Sequence, residues 1–238
     1  MKKVVILATV LAISALYASS LKDLAKKCDL KDASSCKEVA RMYYNGKDAP
    51  TDYEKALNYA KKSCSLKDLE GCIMVGSLYN EGEVIKHDAK KAITYFNEAC
   101  ELKSGEGCTL VGQVYAQEAL AKEAQSKEGV QKNGNMQGYS KAVSFFNKSC
   151  NLNSAKGCYN LGIAYSFGKG VAQDDNKASA MFKKACELNS PAGCYNLAIN
   201  SLMHKDDAKT KEAAKGYLTK ACKLGDMRSC SALKQLKL

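Results

Sequence analysis

Cysteine is the residue type with the most evident chemistry in this chain, and its spacing is regular. The 238 residues include twelve cysteines in six pairs, and the two members of every pair are eight positions apart. Such pairs can form disulfides or bind zinc. Zinc would need a metal cage at every pair, and the sequence offers only two histidines, His87 and His204. We therefore predict no metal site and six disulfides: Cys28–Cys36, Cys64–Cys72, Cys100–Cys108, Cys150–Cys158, Cys186–Cys194 and Cys222–Cys230.

Each cysteine pair must lie at a corner of the chain. In one continuous helix, residues eight apart are separated by about 12 Å along the axis, whereas a disulfide needs Cα atoms within roughly 7 Å. In every copy an Asp or Ser, a good helix N-cap, stands four positions after the first cysteine. The first cysteine should therefore end one helix, and the second should lie near the fourth residue of the next. The capping residues are Asp32, Asp68, Ser104, Ser154, Ser190 and Asp226.

The segments between the pairs have the pattern of helical hairpins. Successive pairs start 36 residues apart, except for a step of 50 between Cys100 and Cys150, and a fixed period of this length is typical of stacked helical repeats. After each second cysteine, apolar residues recur at +3, +4 and +7 on one helix face. The small +4 residue predicts close backbone approach by a neighbouring helix. In three copies a glycine at +10 should end this first helix, and a second helix rich in Ala and aromatic residues leads to the next pair.

The predicted hairpins fill residues 19–238, with two departures. The 14 extra residues of the third copy should lengthen the first helix to about Lys127, add two turns to each helix and leave a Gly/Asn-rich loop. In the last hairpin Thr210 takes the place of Asp174, and Ser201 and His204 replace a Tyr and a Gly. The predicted hairpins are 32–64, 68–100, 104–150, 154–186 and 190–222, with half-repeats at 21–28 and 226–238.

The first residues indicate export. Lys2 and Lys3 precede an apolar run that is too short to span a bilayer, and small residues follow it. Residues 1–18 therefore have the pattern of a secretory signal peptide, with cleavage after Ala18 or Ser20. We predict a secreted or periplasmic protein without a membrane span in its mature form, a setting in which disulfides are common.

The net charge is strongly positive but dispersed. It is +11 for the whole sequence and 11 − 2 = +9 once the two lysines of residues 1–18 are removed. Nucleic-acid binding favours clustered Arg and Lys with aromatic platforms, and this clustering is missing. We therefore predict no nucleic-acid partner and interpret the charge as a solvated lysine-rich surface. Anionic envelope polymers or host surfaces are the alternative partners of such a surface.

The segment CYNLGIAYSFGKGVAQDDNKASAMFKKAC at 158–186 resembles a Sel1-like repeat, a relative of the tetratricopeptide repeat. With a cysteine pair at every junction, residues 21–238 resemble the Helicobacter cysteine-rich proteins. The resemblance implies an all-α, right-handed α/α solenoid. It also implies penicillin binding and slow hydrolysis of β-lactams.

The sequence does not supply the usual machinery for that hydrolysis. Serine β-lactamases combine S-x-x-K with S-D-N and K-T-G, and the last two motifs are absent here. The number of S-x-x-K matches is what chance would give, and His87 and His204 are too far apart in sequence to indicate a metal site. We assign no catalytic residue and predict no cofactor. The S-x-x-K matches are Ser19–Lys22, Ser34–Lys37, Ser166–Lys169 and Ser231–Lys234.

Binding is the better-supported function. Stacked helical hairpins present a concave face lined by their first helices, and amide side chains there can bond a backbone through donor and acceptor together. Candidate groove residues are Asn160 and Asn196 at +2, with Arg41 and Gln113 at +5. We expect a monomer that binds a peptide, a peptidoglycan fragment or a host protein. The alternatives are a slow β-lactamase and a purely structural envelope component.

Overall fold

The computed structural model describes residues 20–125, 132–204 and 207–235. The predicted signal peptide at 1–18 lies outside the described residues. Within the described ranges, all regular secondary structure is helical, as the hairpin pattern predicts. The helices are α1 (20–29), α2 (Ala33–Asn45), α3 (Tyr53–Ser65), α4 (Leu69–Glu81), α5 (Ala89–Glu101), α6 (Gly105–Gln125), α7 (Lys132–Asn151), α8 (Ala155–Phe167), α9 (Asp175–Glu187), α10 (Pro191–His204), α11 (Ala208–Lys223) and α12 (Met227–Gln235).

The helices form two compact units, which divide between Leu102 and Lys103. In unit 1, α2 packs against α3, α3 against α4, and α4 against α5. In unit 2, the helices from α6 to α12 also pack in chain order, and α8 additionally contacts both α6 and α10. The first helices of successive hairpins in unit 2 therefore lie side by side.

Disulfides close the corners between hairpins. The twelve cysteines form six disulfides between residues eight positions apart, which confirms the predicted pairing. The residue three positions after the first cysteine has a positive φ in all six corners, so one left-handed residue turns the chain from helix to helix. These turning residues are Lys31, Lys67, Lys103, Asn153, Asn189 and Gly225. The Cα atoms are 4.4–4.8 Å apart in the pairs that begin at Cys28, Cys64, Cys150, Cys186 and Cys222.

Side-chain caps start the helices after these corners. The Asp68 carboxylate accepts a hydrogen bond from the Gly71 N–H at 2.7 Å, and Ser104, Ser154 and Ser190 accept equivalent bonds. Asp32 differs, because its carboxylate accepts a hydrogen bond from the Ser35 hydroxyl. The predicted ends of the first helices are also confirmed, since left-handed glycines follow α2, α4 and α8: Gly46, Gly82 and Gly168.

The small residue at +4 makes room for an aromatic ring. A Cβ on Gly162 would lie 2.6 Å from the ring of Phe182 on the paired helix. The close approach is thus made mainly by an aromatic side chain of the same hairpin, although at Gly112 the helix backbone is also near, since a Cβ would lie 3.1 Å from the Ala142 carbonyl oxygen. In the last hairpin the +4 residue is Ala198. Leu218, which is smaller than a phenylalanine, takes the place of Phe182 and belongs to the same buried cluster as Ala198. The same tight pairing, at 2.5 Å, joins Gly76 to Phe96 and Gly112 to Phe146.

The extra residues of the third hairpin extend both of its helices. Helix α6 has 21 residues and α7 has 20, against 13 in each helix of the neighbouring hairpins. About two turns are therefore added to each helix, as the insertion predicts. The predicted Gly/Asn-rich loop is wrong over residues 132–138, because α7 already begins at Lys132. Although Gly disfavours helix, Gly138 lets α7 pack closely on α6, where an added Cβ would lie 2.9 Å from that of Ala119.

The second helix of the last hairpin begins earlier than its repeat position predicts. Asp207 caps α11, and its carboxylate accepts a hydrogen bond from the Thr210 N–H at 2.8 Å. Thr210, which occupies the position of Asp174, therefore lies inside the first turn. Asp is a better N-cap than Thr, which explains why the helix starts one turn earlier.

Candidate functional site

Two neighbouring cavities open between the first helices of unit 2. The first cavity, of about 320 Å³, has walls from α6, α7 and α8. The second, of about 410 Å³, has walls from α8, α9 and α10. They occupy the same place in successive repeats, because Phe146 lines the first and the equivalent Phe182 lines the second.

The first cavity combines apolar walls with amide groups. Gln113 on α6 and Asn160 on α8 both line it, so two of the predicted groove residues come together there. The Asn160 Nδ2 is buried and has no hydrogen-bond partner. The protein itself therefore leaves this donor unsatisfied at the wall of the cavity.

An ion-paired cluster fixes one side of the first cavity. The Tyr139 hydroxyl donates a hydrogen bond to Glu123 at 2.8 Å, and the Lys169 Nζ lies 2.8 and 2.9 Å from the two oxygens of the same carboxylate. Burial and the bond to Glu123 raise the pKa of Tyr139 to about 12. The bonds from Lys169 and Tyr139 lower the pKa of Glu123. The cluster joins the extended part of α6 to α7 and to the turn after α8.

The second cavity contains two asparagines with different surroundings. Asn196, a predicted groove residue, lines it from α10. Asn200, one turn further along α10, is only 9% exposed, and its Oδ1 has no hydrogen-bond partner. Two large apolar side chains that also line this cavity, Phe167 and Met203, are 68% and 79% exposed.

The sequence interpretation did not include Asn200 in the groove. A signal was present, because the other copies have Met42, Leu78, Val114 and Ala164 at this +6 position. A single polar residue in an otherwise apolar column of the repeat marks a position where burial and chemistry disagree.

Arg41 lies in unit 1 and does not line either cavity. Its guanidinium is 3.1 Å from Glu38 and 2.8 Å from Glu70. These exposed ion pairs occupy the side chain. The predicted groove residues thus divide into Gln113 and Asn160 in the first cavity, Asn196 in the second, and Arg41 in unit 1.

Two of the four lysines in the S-x-x-K matches, Lys37 and Lys169, are held in ion pairs. Lys37 Nζ lies 3.1 Å from Glu70 and 3.6 Å from Asp68. Burial opposes the charge on Lys37, but its contacts with these acids raise its pKa. Lys169 is held by Glu123.

Neither histidine nor cysteine forms a ready metal site in the part of the chain that is described. The exposed His87 has its Nδ1 2.9 Å from the Asn80 carbonyl oxygen. The potential ligand atoms of Cys64, Cys72 and Glu98 lie within 4.8 Å of one another. The two sulfurs are bonded to each other, so they offer no thiolate to a metal. Across the described ranges, no helix is both long enough and apolar enough to cross a bilayer.

The chain matches a known repeat family and a solved structure of that fold. The Sel1 repeat family matches residues 33–68, 69–104, 114–154, 155–190 and 191–226. The solved structure of a Sel1 repeat protein from Oxalobacter formigenes has a TM-score of 0.68 at 18% identity, covering 87% of this chain and 79% of that chain. Helicobacter pylori cysteine rich protein B is 34% identical, covering 64% of this chain and 99% of that chain, with a TM-score of 0.44. No match was found among the curated proteins.

Proposed function

This chain belongs to the Sel1 repeat family, and on that basis we propose that it is a binding protein whose unit 2 holds an extended polypeptide segment against α6, α8 and α10. Proteins built from Sel1 repeats mediate protein–protein interactions. The two equivalent cavities in successive repeats fit a ligand that itself repeats along its length. An extended polypeptide has this property, since it presents a side chain and a pair of backbone hydrogen-bonding groups at every residue.

The observation that carries the proposal is the buried, unpartnered Nδ2 of Asn160. A buried donor without a partner costs free energy, and a ligand carbonyl that enters the first cavity would remove that cost. Gln113 adds a second donor and acceptor to the same cavity. Asn196 supplies an amide in the next cavity, so a chain that spans both cavities meets amide groups in each.

We propose that this binding takes place outside the cytoplasm. The six disulfides indicate folding in an oxidising compartment. The signal peptide at 1–18 and the choice between a secreted and a periplasmic protein stay predictions, as does the monomeric state.

The test starts from selection of a displayed random-peptide library on the oxidised full chain, followed by calorimetric titration of the selected peptide. Asn160→Ala should weaken binding about tenfold. The same substitution should leave the melting temperature unchanged or raise it, because the amide nitrogen has no partner in the free protein. A residue with a purely structural role would instead lower the melting temperature.

Asn176→Ala is the matched control, because Asn176 is exposed and lines neither cavity. Failure to select any peptide would contradict the proposal. If the protein bound a synthetic muropeptide, and Asn160→Ala weakened that binding about tenfold as well, the peptidoglycan-fragment alternative would be favoured.

A further inference from the structure

Asn200 stands apart from the other buried polar side chains of the described residues. Five of these six residues are Ser or Thr, and their hydroxyls make hydrogen bonds, for example Ser63 to the Ala33 carbonyl and Thr109 to Ser149. Asn200 Oδ1 has no partner. Since native interiors pair nearly all such groups, this acceptor calls for a partner from outside the chain.

The residues around Asn200 also depart from the repeat. At +9 of the first helix, earlier copies have the polar residues Asn45, Glu81 and Gln117. The last two copies have Phe167 and Met203 instead, and both side chains are largely exposed and line the second cavity. One buried acceptor and two exposed apolar side chains therefore meet in one cavity.

We infer that the second cavity is a specificity pocket for a tryptophan side chain of the bound polypeptide, an inference that rests on the proposed function. Indole is a large apolar ring with a single N–H donor and no acceptor, which matches apolar walls and one unpaired Oδ1. Phe167 offers an aromatic surface and Met203 a thioether, and both make favourable contacts with aromatic rings.

Other donor-bearing side chains fit the cavity less well. A tyrosine hydroxyl would bring an acceptor of its own that needs a donor. A lysine or arginine would need a free carboxylate, because a buried charge must be paired. Asp175, the acidic residue that lines the cavity, already has a partner within the protein.

The chain itself makes the test simple, because it contains no tryptophan. The fluorescence of a tryptophan in a peptide can therefore be read with little background when it is excited at the red edge of its absorption, where the 13 tyrosines of the chain absorb little. The first probe is the peptide acetyl-Ala-Ala-Trp-Ala-Ala-amide, and the second is its 1-methyltryptophan analogue, which lacks the indole N–H. The third is the all-alanine peptide. Fluorescently labelled versions of all three are used to measure binding by anisotropy. The oxidised full chain should bind the tryptophan peptide with a blue-shifted emission, and about tenfold more tightly than the methylated analogue.

Asn200→Leu, which installs the residue found at the equivalent Leu78, removes the acceptor. In this variant the tryptophan peptide and its methylated analogue should bind equally, and the melting temperature should be unchanged or higher. Asn176→Ala should keep the wild-type preference. The comparison of peptides on the wild-type protein needs no variant, so it holds even if Asn200→Leu folds poorly.

Each other outcome overturns the inference. Equal affinity for the two tryptophan peptides on the wild-type protein would show that Asn200 does not pair with the indole. If the wild-type protein bound all three peptides equally and Asn160→Ala bound them more weakly, the tryptophan pocket would be overturned and the proposed function would stand. No binding of any of the three would overturn this inference, while selection from the random-peptide library would decide the proposed function separately.

Discussion

At the scale of single residues, the cluster of Glu123, Tyr139 and Lys169 joins three parts of the fold at one side of the first cavity. Glu123 lies on the part of α6 that the third hairpin adds, Tyr139 lies on α7 just after its added residues, and Lys169 lies in the turn after α8. Gly170 in the same turn packs closely on Tyr139, where an added Cβ would be 2.4 Å from its carbonyl carbon. The insertion therefore contributes Glu123 to the proposed binding surface as well as lengthening a hairpin.

The Tyr139 phenol gives this cluster a measurable signature. Its pKa is raised to about 12, whereas the pKa of a free tyrosine is about 10. The folded state therefore holds a proton that the unfolded state loses. The resulting stabilisation is complete below pH ~10 and is lost as the pH rises from ~10 to ~12.

Ultraviolet titration of phenolate absorbance checks this prediction. Tyr139→Phe should remove one phenol that ionises near pH ~12. Glu123→Gln should lower the titration midpoint of the Tyr139 phenol, because the hydrogen bond to Glu123 and the charge of Glu123 both contribute to the raised pKa. Tyr165→Phe serves as the control and should leave the late-titrating phenol in place. An unchanged titration in Tyr139→Phe would contradict the assignment.

At the scale of helices, the pairing of glycine with phenylalanine couples the two members of a hairpin. Gly162→Ala places a methyl group 2.6 Å from the ring of Phe182, and such overpacking costs about 1–3 kcal/mol. We expect a lower free energy of unfolding in urea. Phe182→Leu in the same chain should recover much of the loss, because Ala198 and Leu218 form this combination in the last hairpin.

A second glycine provides a matched control of opposite sign. Gly216 lies within α11, and a Cβ there would meet nothing within 4 Å. Gly216→Ala should therefore stabilise the protein by about 0.5–1 kcal/mol, because alanine favours helix more than glycine does. If both glycine substitutions changed stability in the same direction, the steric explanation for Gly162 would be wrong.

The disulfide corners contribute to stability at this same scale. Cys186 and Cys194 are buried at the corner between α9 and α10. Replacing both with Ala should cost about 2.5 kcal/mol in the chain-entropy description of a short loop. Chemical denaturation of the double variant measures this loss. Reducing agent should then destabilise the variant less than the wild type, because one bond is already absent.

The helices were predictable from sequence because their signals are local and repeated. Caps, αL glycines and apolar periodicity act within a few residues, so Asp68 and Gly82 mark their helix ends directly. The start of α11 and the helical form of residues 132–138 were not predictable in this way. They depend on which of two candidate caps, Asp207 or Thr210, is used and on the packing of Gly138 against Ala119.

At the scale of the whole molecule, repetition explains why the family was recognisable while the proposed binding surface was predicted only in part: Gln113, Asn160 and Asn196 line the two cavities, but Asn200 was missed. The same spacing recurs in every copy, so comparison of copies within one chain is enough to identify the architecture. The surface is formed by exceptions to the repeat, such as Asn200 and Met203, and by a contact between Glu123 and Lys169 that are 46 positions apart. Such contacts follow from packing and not from any local pattern.

The hydrolase alternative can be tested on the whole molecule. We expect the oxidised, monodisperse protein to give no turnover of a chromogenic cephalosporin. Lys37 and Lys169 of the S-x-x-K matches are held in ion pairs, so neither is placed as a free base beside a serine. The sequence also lacks the two partner motifs of serine β-lactamases.

Size-exclusion fractions assayed before and after unfolding provide the measurement, with Ser166→Ala as the informative variant because Ser166 lines the second cavity. Activity that follows the protein peak, disappears on unfolding and falls in Ser166→Ala would establish an enzyme at this surface. Activity that is unchanged in Ser166→Ala but lost on unfolding would place hydrolysis elsewhere in the protein. Competition between the cephalosporin and the selected peptide then distinguishes one shared site from two.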